Sequence, residues 1–426
     1  MSDKIKLLAY CDTPSCATGF GTVSRNILEG LQNTGRYQID VLGINYWGDP
    51  HPFPYRIWPV GTNKERDPYG RKKICGMMPQ MDFDLLFFLQ DTFILDFLPE
   101  LIPHLKGKGK KFKSVCYYPI DGIPKKKWIS NVNVVDYLVA YSEFGKAESI
   151  KALPECQKLD VIPHGVNTTD YYVHNEDNVK AFRANYFNRH KDKFIFTNLN
   201  RNQQRKDIPR TIAAFAEFRK HTDPNDSILY LHMAKVDQGW NLPEVCAAYG
   251  FNMKDDVLFP ENFGPNQGYP REIVNMIYNA SDCVISTTLG EGWGLSWSEA
   301  MATRTPIVMP SNTALVEAIS PERGYLIKSG TNETLKTVLP NDNEVIRPLV
   351  DVEDMAEKMV HVYNNYEEAL DKADKAYQWV TTKLDWQKHI APRWVKVFDK
   401  MYEDLQAGKK EIEIPDTNKI IEAESF

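Results

Sequence analysis

The sequence is poor in everything that would anchor it in a membrane or tie it into a small cross-linked scaffold. Its unbroken apolar runs, such as Leu85 to Leu89, fall far short of the ~20 residues a spanning helix needs, and the opening MSDKIKLLAYCD lacks the apolar centre of a secretory leader. Neither a membrane span nor secretion is expected, and a cytoplasmic location follows. Seven cysteines, an odd number with no Cys-x-x-Cys pair, exclude a disulfide framework and a cysteine zinc site. The nine histidines are scattered, and neither a His-x-x-x-His pair nor an Asp-x-Asp triplet is expected to be available for a divalent ion, so no metal and no cofactor are expected. What remains is an ordinary globular balance: 426 residues, 42% hydrophobic and 25% charged, without repeats or low-complexity blocks. At about 150 residues per domain that length suits two or three domains, and two is the working number.

The net charge of −6 does not suggest a nucleic-acid binder, yet it is unevenly spread. Residues 1–166 carry 21 Lys+Arg against 18 Asp+Glu, which leaves 30 against 39 for the remainder. The basic runs sit in front: Arg71 to Lys73, Lys106 to Lys113 and Lys125 to Lys127. A solvated face is the ordinary reading of such runs. An anionic partner touching the front domain is the sharper one.

Short β-rich runs alternate with helical patterns, beginning at Ile5–Tyr10 and Tyr37–Leu42 and restarting at Phe194–Leu199. Strand–helix alternation predicts α/β architecture with parallel sheets covered on both faces, here two doubly wound domains. The expected boundaries are an N-terminal domain over 1–166, a polar connection over 167–193, and a C-terminal domain over 194–385. A helix with the apolar stripe Trp386, Ile390, Trp394, Phe398, Met401 and Leu405 occupies 386–408, and 409–426 is a polar tail. Residues 234–256 stand where such a unit would use a shorter link, and have the look of an insertion.

Three segments carry chemistry. Gly19 and Gly21 lie between the first strand and a helical pattern, where a glycine turn can present backbone N–H groups to an anion, although the third glycine of a dinucleotide fingerprint is missing. Arg201 and Lys206 follow the strand FIFTNL, a position where α/β folds bind ligands, and the two cations together suit a diphosphate. Glu291 and Glu299 flank EGWGLSWSE, with Gly290, Gly292 and Gly294 packed around the first. Those glycines free the amides of a turn that opens a helix near Leu295, while each glutamate can accept hydroxyls of a sugar or ribose.

These residues, with the interdomain VIPHGVNTTDY, resemble the retaining glycosyltransferases of the GT-B fold over roughly residues 5–405. The EGWGLSWSEAMA segment is similar to that family's paired-glutamate signature. The resemblance implies two Rossmann-like domains facing a cleft, with a nucleotide-sugar donor on the C-terminal domain, the acceptor on the N-terminal one, and net retention at the anomeric carbon. By resemblance Glu299 holds the donor ribose and Arg201 with Lys206 the diphosphate. Glu291 and the amides of Gly292, Trp293, Gly294 and Leu295 hold the transferred sugar, and Gly19 and Gly21 join the donor-binding set. The sequence departs from the family at Asp121, which takes the place of a common histidine and is the candidate to accept the acceptor proton or a sugar hydroxyl. It departs again at His164, read as a hinge residue where Asn is commoner, and at Asp207, where glycine usually follows the lysine.

The expected activity is therefore transfer of a hexose from a UDP- or GDP-sugar to an acceptor hydroxyl, in a carbohydrate or, alternatively, in a polyanion such as a hydroxymethylated DNA base. A nucleotide-sugar epimerase and a non-catalytic sugar-nucleotide or nucleic-acid binding protein are the competing classes. Base recognition is expected from the loop Pro260–Tyr269.

Overall fold

Hydrophobic runs with no polar alternation, such as Leu7 to Cys11, all at most 1% exposed, can be covered only in a sheet with helices on both faces. The computed structural model describes residues 4–62, 64–156, 159–264 and 268–409. It divides the chain into two units: Met1–His164 with Trp386–Phe426, and Gly165–Asp385.

The first unit runs β1 (Ile5–Asp12), α1 (Gly19–Asn33), β2 (Tyr37–Ile44), β3 (Arg56–Gly61), α2 (Arg71–Met77), β4 (Leu85–Leu89), α3 (Leu98–Gly107), β5 (Lys113–Tyr118), α4 (Lys126–Val132), β6 (Tyr137–Ala140), α5 (Glu143–Ala152) and β7 (Leu159–Val161). Its seven strands form one parallel sheet in the order β3-β2-β1-β4-β5-β6-β7. The strand order therefore reverses between β1 and β4.

The second unit runs α6 (Glu176–Phe182), β8 (Phe194–Asn198), α7 (Ile208–Phe218), β9 (Ser227–Leu231), α8 (Leu242–Ala248), β10 (Val257–Leu258), α9 (Arg271–Ala280), β11 (Cys283–Ile285), α10 (Leu295–Ala302), β12 (Ile307–Pro310), α11 (Leu315–Ala318) and β13 (Tyr325–Ile327). A small antiparallel pair, β14 (Lys336–Val338) and β15 (Ile346–Pro348), and the helices α12 (Val352–Asn364) and α13 (Tyr366–Lys383) complete it. The main sheet is parallel in the order β10-β9-β8-β11-β12-β13. Here the order reverses between β8 and β11. The stretch 167–193 belongs to this unit and carries α6.

The last helix, α14 (Ala391–Gln406), returns to the first unit. It lies so close to α1 that a Cβ on Gly30 would come within 2.5 Å of the Ala391 Cβ. Trp394 is fully buried against Phe87 and Tyr117, with ring centroids 5.5 and 4.7 Å apart. The chain crosses between the units twice, after His164 and after Asp385. In the first unit His164 packs on Trp386, and in the second Val166 N donates to Leu384 O at 2.7 Å. The His164 ring is buried beside Tyr117 and Tyr141, and burial pushes its pKa down to about 3. It is a neutral packing residue bonded through Nδ1 to the Tyr117 hydroxyl at 2.8 Å. Residues 410–426 of the tail and 265–267 of the Pro260–Tyr269 loop lie outside the described residues.

Candidate active site

Ligands of open parallel sheets bind outside the carboxyl ends of the strands, where the strand order reverses. In the second unit the loops at that point are the one leaving β8, Leu199 to Asp207, and the one leaving β11, Ser286 to Gly294. They are stitched together. The fully buried Thr287 hydroxyl donates to Asp207 O at 2.8 Å and meets Thr211 Oγ1 at 2.7 Å, while Leu289 N donates to Arg205 O at 2.8 Å. Asp207 holds φ 46°, a left-handed conformation that Asp tolerates better than most residues and that glycine adopts freely.

On this frame Lys206 Nζ is paired with Glu291 Oε1, and Arg205 Nη1 lies 3.3 Å from Oε2. Arg205 also donates to Gly290 O. Burial alone would push the Glu291 carboxyl up. Lys206 first and Arg205 next outweigh it, with hydrogen bonds from Lys206 and Thr288, and hold it at about 2. Glu291 is thus an anion throughout the neutral range, able to accept hydroxyl hydrogen bonds and unable to deliver a proton there. Its backbone N–H donates to Thr313 Oγ1 at 2.9 Å, and Thr313 sits at φ 46°, an uncommon conformation for a β-branched residue.

Gly294 precedes α10 at φ 92° and ψ 90°, and a Cβ there would meet Trp297 Cδ1 at 3.0 Å, so glycine is required. No side chain among the described residues caps this helix at Gly294, so the positive end of its dipole meets the preceding glycine turn without a capping side chain. Glu299, further along α10, has different surroundings. Tyr278 Oη donates to Oε2 at 2.7 Å and Tyr171 also bonds the carboxyl. Burial dominates and raises Glu299 to about 7, although both tyrosines and Arg271 pull the other way. Arg271 is itself paired with Asp170 at 2.7 Å.

The structure thus gathers Arg205, Lys206 and Glu291, and gives Glu299 its own tyrosine cage. Arg201 pairs elsewhere: Nε and Nη2 lie on Asp237 at 2.7 and 3.3 Å. Gly292, Trp293 and Leu295 follow Glu291 into α10, and the Trp293 carbonyl accepts from Trp297 Nε1 at 2.7 Å. Asp121, Gly19 and Gly21 belong to the first unit. Asp121 is half-buried in the loop after β5. Gly19 opens α1, and the Gly21 N–H donates to its cap, Thr18 Oγ1, at 3.0 Å. A Cβ on Gly21 would meet Cys16 O at 2.5 Å, so close packing alone demands glycine there.

Sequence reasoning passed over Arg205, Tyr171, Tyr278, Asp237 and Thr313. Arg205 was signalled by its place beside Lys206, whereas the others reach the site only through the fold. The basic runs are partly engaged: Lys113 is buried and donates to Lys409 O at 2.7 Å, Lys110 donates to Met81 O at 2.6 Å, and Lys106 lies 3.5 Å from Asp136. Lys125 to Lys127 are exposed. Among the described residues no three His, Cys, Asp or Glu side chains converge as a metal site requires. The sequence does hold an Asp-x-Asp triplet, Asp82-Phe83-Asp84, which corrects the expectation that it has none; Lys6 engages it, through Nζ on Asp82 at 2.5 Å and the backbone N–H on Asp84 at 2.8 Å. Among the described residues no helix is long and apolar enough to cross a membrane.

Residues 180–342 match the family described as glycosyl transferases, group 1. No curated protein matches the sequence. Solved structures share the GT-B fold. Sucrose-phosphate synthase from Thermosynechococcus elongatus has a TM-score of 0.73 at 16% identity, covering 94% of this chain and 99% of its own. Anabaena HepE in complex with UDP-glucose has a TM-score of 0.69 at 14% identity, covering 93% and 99%. The α,α-trehalose 6-phosphate synthase from Burkholderia multivorans has a TM-score of 0.65 at 12% identity, covering 95% and 99%.

Proposed function

We propose, from the match of residues 180–342 to the group 1 glycosyl transferases and from the fold shared with solved GT-B structures, that the chain is a retaining, metal-independent hexosyltransferase. It moves a sugar from a UDP- or GDP-hexose to an acceptor hydroxyl of a carbohydrate, in the cytoplasm. The observation that carries this reading is the cation pair Arg205 and Lys206 around an ionised Glu291 at the strand-order reversal of the second sheet. The similar fold of HepE, solved in complex with UDP-glucose, favours a uridine donor.

In this reading a donor diphosphate meets Lys206 with Arg205 beside it, the edge of Arg201 that Asp237 does not use, and the amides from Gly292 to Leu295. These preorganised positive groups stabilise the charge that develops as the bond between the anomeric carbon and the diphosphate oxygen breaks. The acceptor oxygen bonds to that carbon, and Asp121 takes up its proton. Glu291, fixed as an anion, accepts hydroxyls of the migrating sugar. Glu299 accepts the ribose diol once it is ionised. No metal is needed, because side-chain and backbone donors neutralise the leaving group.

The test is a thermal-shift panel of UDP, GDP and ADP and their hexoses, since a ligand that binds only the folded state raises its stability. A shift with one nucleoside diphosphate and its sugar, followed by transfer from that donor, supports the reading. Interconversion of the sugar nucleotide without acceptor identifies an epimerase instead. The exposed Lys125 to Lys127 favour a second acceptor class, a polyanion such as a hydroxymethylated DNA base. Transfer to such DNA that collapses between low and moderate salt supports that class.

A further inference from the structure

The loop leaving β9 does not run straight into α8. Val236 and Asn241 pair as an antiparallel bridge, so residues 237–240 form a tight turn, and that turn is docked on the loop leaving β8. Gly239 N donates to Asn202 O at 2.9 Å, Trp240 N to Asn202 Oδ1 at 3.0 Å, and Asn202 Nδ2 to Trp240 O at 2.8 Å. Asn202 is fully buried, and a Cβ on Gly239 would collide with its Oδ1. The fixed turn presents Asp237, whose side chain is 5% exposed, to the guanidinium of Arg201, which is 38% exposed.

The contact is side-on. Asp237 uses Nε and one hydrogen of Nη2. A guanidinium carries five N–H donors in a rigid plane, so three remain, two on Nη1 and one on Nη2. A carboxylate clamped to one edge therefore fixes the plane of the fork and leaves the other edge for a second anion. An arginine held this way loses less freedom when it meets a phosphate than one free in solvent.

We propose that Asp237 is a positioning residue: the 234–241 turn pre-orients Arg201 so that its open edge faces the donor diphosphate. The inference rests on the donor reading above and adds a residue from the one segment that looked like an insertion. It also assigns that segment a purpose, since a shorter link between β9 and α8 would leave Arg201 without its clamp.

The experiment uses the full chain and the nucleoside diphosphate that shifts wild-type melting, titrated into wild type, Asp237→Ala, Asp237→Asn, Gly239→Ala, Arg201→Ala and the Asp237→Ala/Arg201→Ala double variant. Asp237→Ala is expected to weaken binding about 10-fold, by analogy with the outer partners that orient metal ligands, and to raise donor KM with acceptor KM unchanged. Asp237→Asn, which keeps one acceptor oxygen, is expected to recover part of the loss. Gly239→Ala is expected to mimic it while keeping the carboxylate. In the Arg201→Ala background the Asp237 substitution is expected to change nothing. Unchanged or tighter binding by Asp237→Ala makes Asp237 a bystander or a competitor and overturns the inference alone. An equal loss with and without Arg201 overturns it too, because the turn then merely supports the fold. Failure of wild type to bind any nucleoside diphosphate overturns the donor reading first, and the inference with it.

Discussion

Each parallel sheet places a buried carboxylate where its strand order reverses, and the two are held by different means. In the first unit Asp12, at the end of β1, accepts from Thr18 Oγ1 at 2.7 Å and, across the reversal, from Gln90 Nε2 at 3.3 Å. In the second unit Glu291, beyond β11, reaches across to Lys206 and Arg205 beyond β8. Burial pushes the Asp12 carboxyl up, and hydrogen bonds from Thr18 and Gln90 offset only part of that. Burial also acts on Glu291, yet two cations overcome it and hold the group at about 2. The same backbone topology thus supports a dipolar centre in one unit and an ionic one in the other. The ionic centre sets two cations beside its carboxylate, and the proposed diphosphate site rests on that pair.

The sharpest way to break this contrast is Lys206→Ala. It is expected to lower kcat on the order of 10²-fold or more, the scale of losing a preorganised charge stabiliser. Steady-state rates with the identified donor check it, and near-normal turnover would remove Lys206 from the chemistry. Next in size is Glu299→Gln, with an expected rise in donor KM of about 10- to 100-fold, the ~1.5–3 kcal/mol of a hydrogen bond to a charged group. Its pH signature is more telling. The carboxyl is raised from 4.5 to about 7, so the folded state binds the extra proton between those values and stability falls as pH rises across that window. If Glu299 accepts the ribose diol as proposed, donor kcat/KM is expected to rise through about pH 7, and that rise should vanish in Glu299→Gln. Tyr278→Phe removes a bond that favours ionisation, so the midpoint of the rise should move to higher pH.

Gly294→Ala forces a side chain onto φ 92°, at an expected cost of about 1–3 kcal/mol, readable in urea titrations. The smallest effect belongs to the dipolar centre. Asp12→Asn keeps an acceptor for Thr18 and sheds no ion pair with a cation, so it should change stability by less than about 1 kcal/mol and leave the UDP or GDP melting shift intact. A loss of donor binding in Asp12→Asn would erase the distinction between the two centres.

Much of this was legible in the sequence because local signals and fold agree. FIFTNL reads as a strand and EGWGLSWSEAMA as a glycine turn entering a helix, and both segments form those elements. The positions of Lys206, Glu291 and Glu299 on loops and a helix start follow from that. Partnership was not legible. Arg201 and Lys206 looked like a matched pair five residues apart, but the turn after β9 takes one and Glu291 the other. Tyr171 and Tyr278 stand 128 and 21 residues from Glu299, and only the packing of α9, α10 and the 167–175 loop reveals that they bond it. Likewise Lys113 reads as one more member of a solvated run, yet it opens β5 and is buried. Charge patterns show which residue types are available. Which of them meet depends on contacts distant in sequence.

Gly30 and Trp394 imply an order of assembly. The core over Phe87 and Tyr117 is roofed by a helix encoded after the whole second unit. At ~5–20 residues per second of synthesis, a ribosome needs roughly 10–40 s to make residues 165–385 before that roof emerges. The unit that starts first therefore finishes last, its aromatic face waiting uncovered while the contiguous unit matures. A chain stopped short of Ala391 would leave Phe87 and Tyr117 without the helix that covers them.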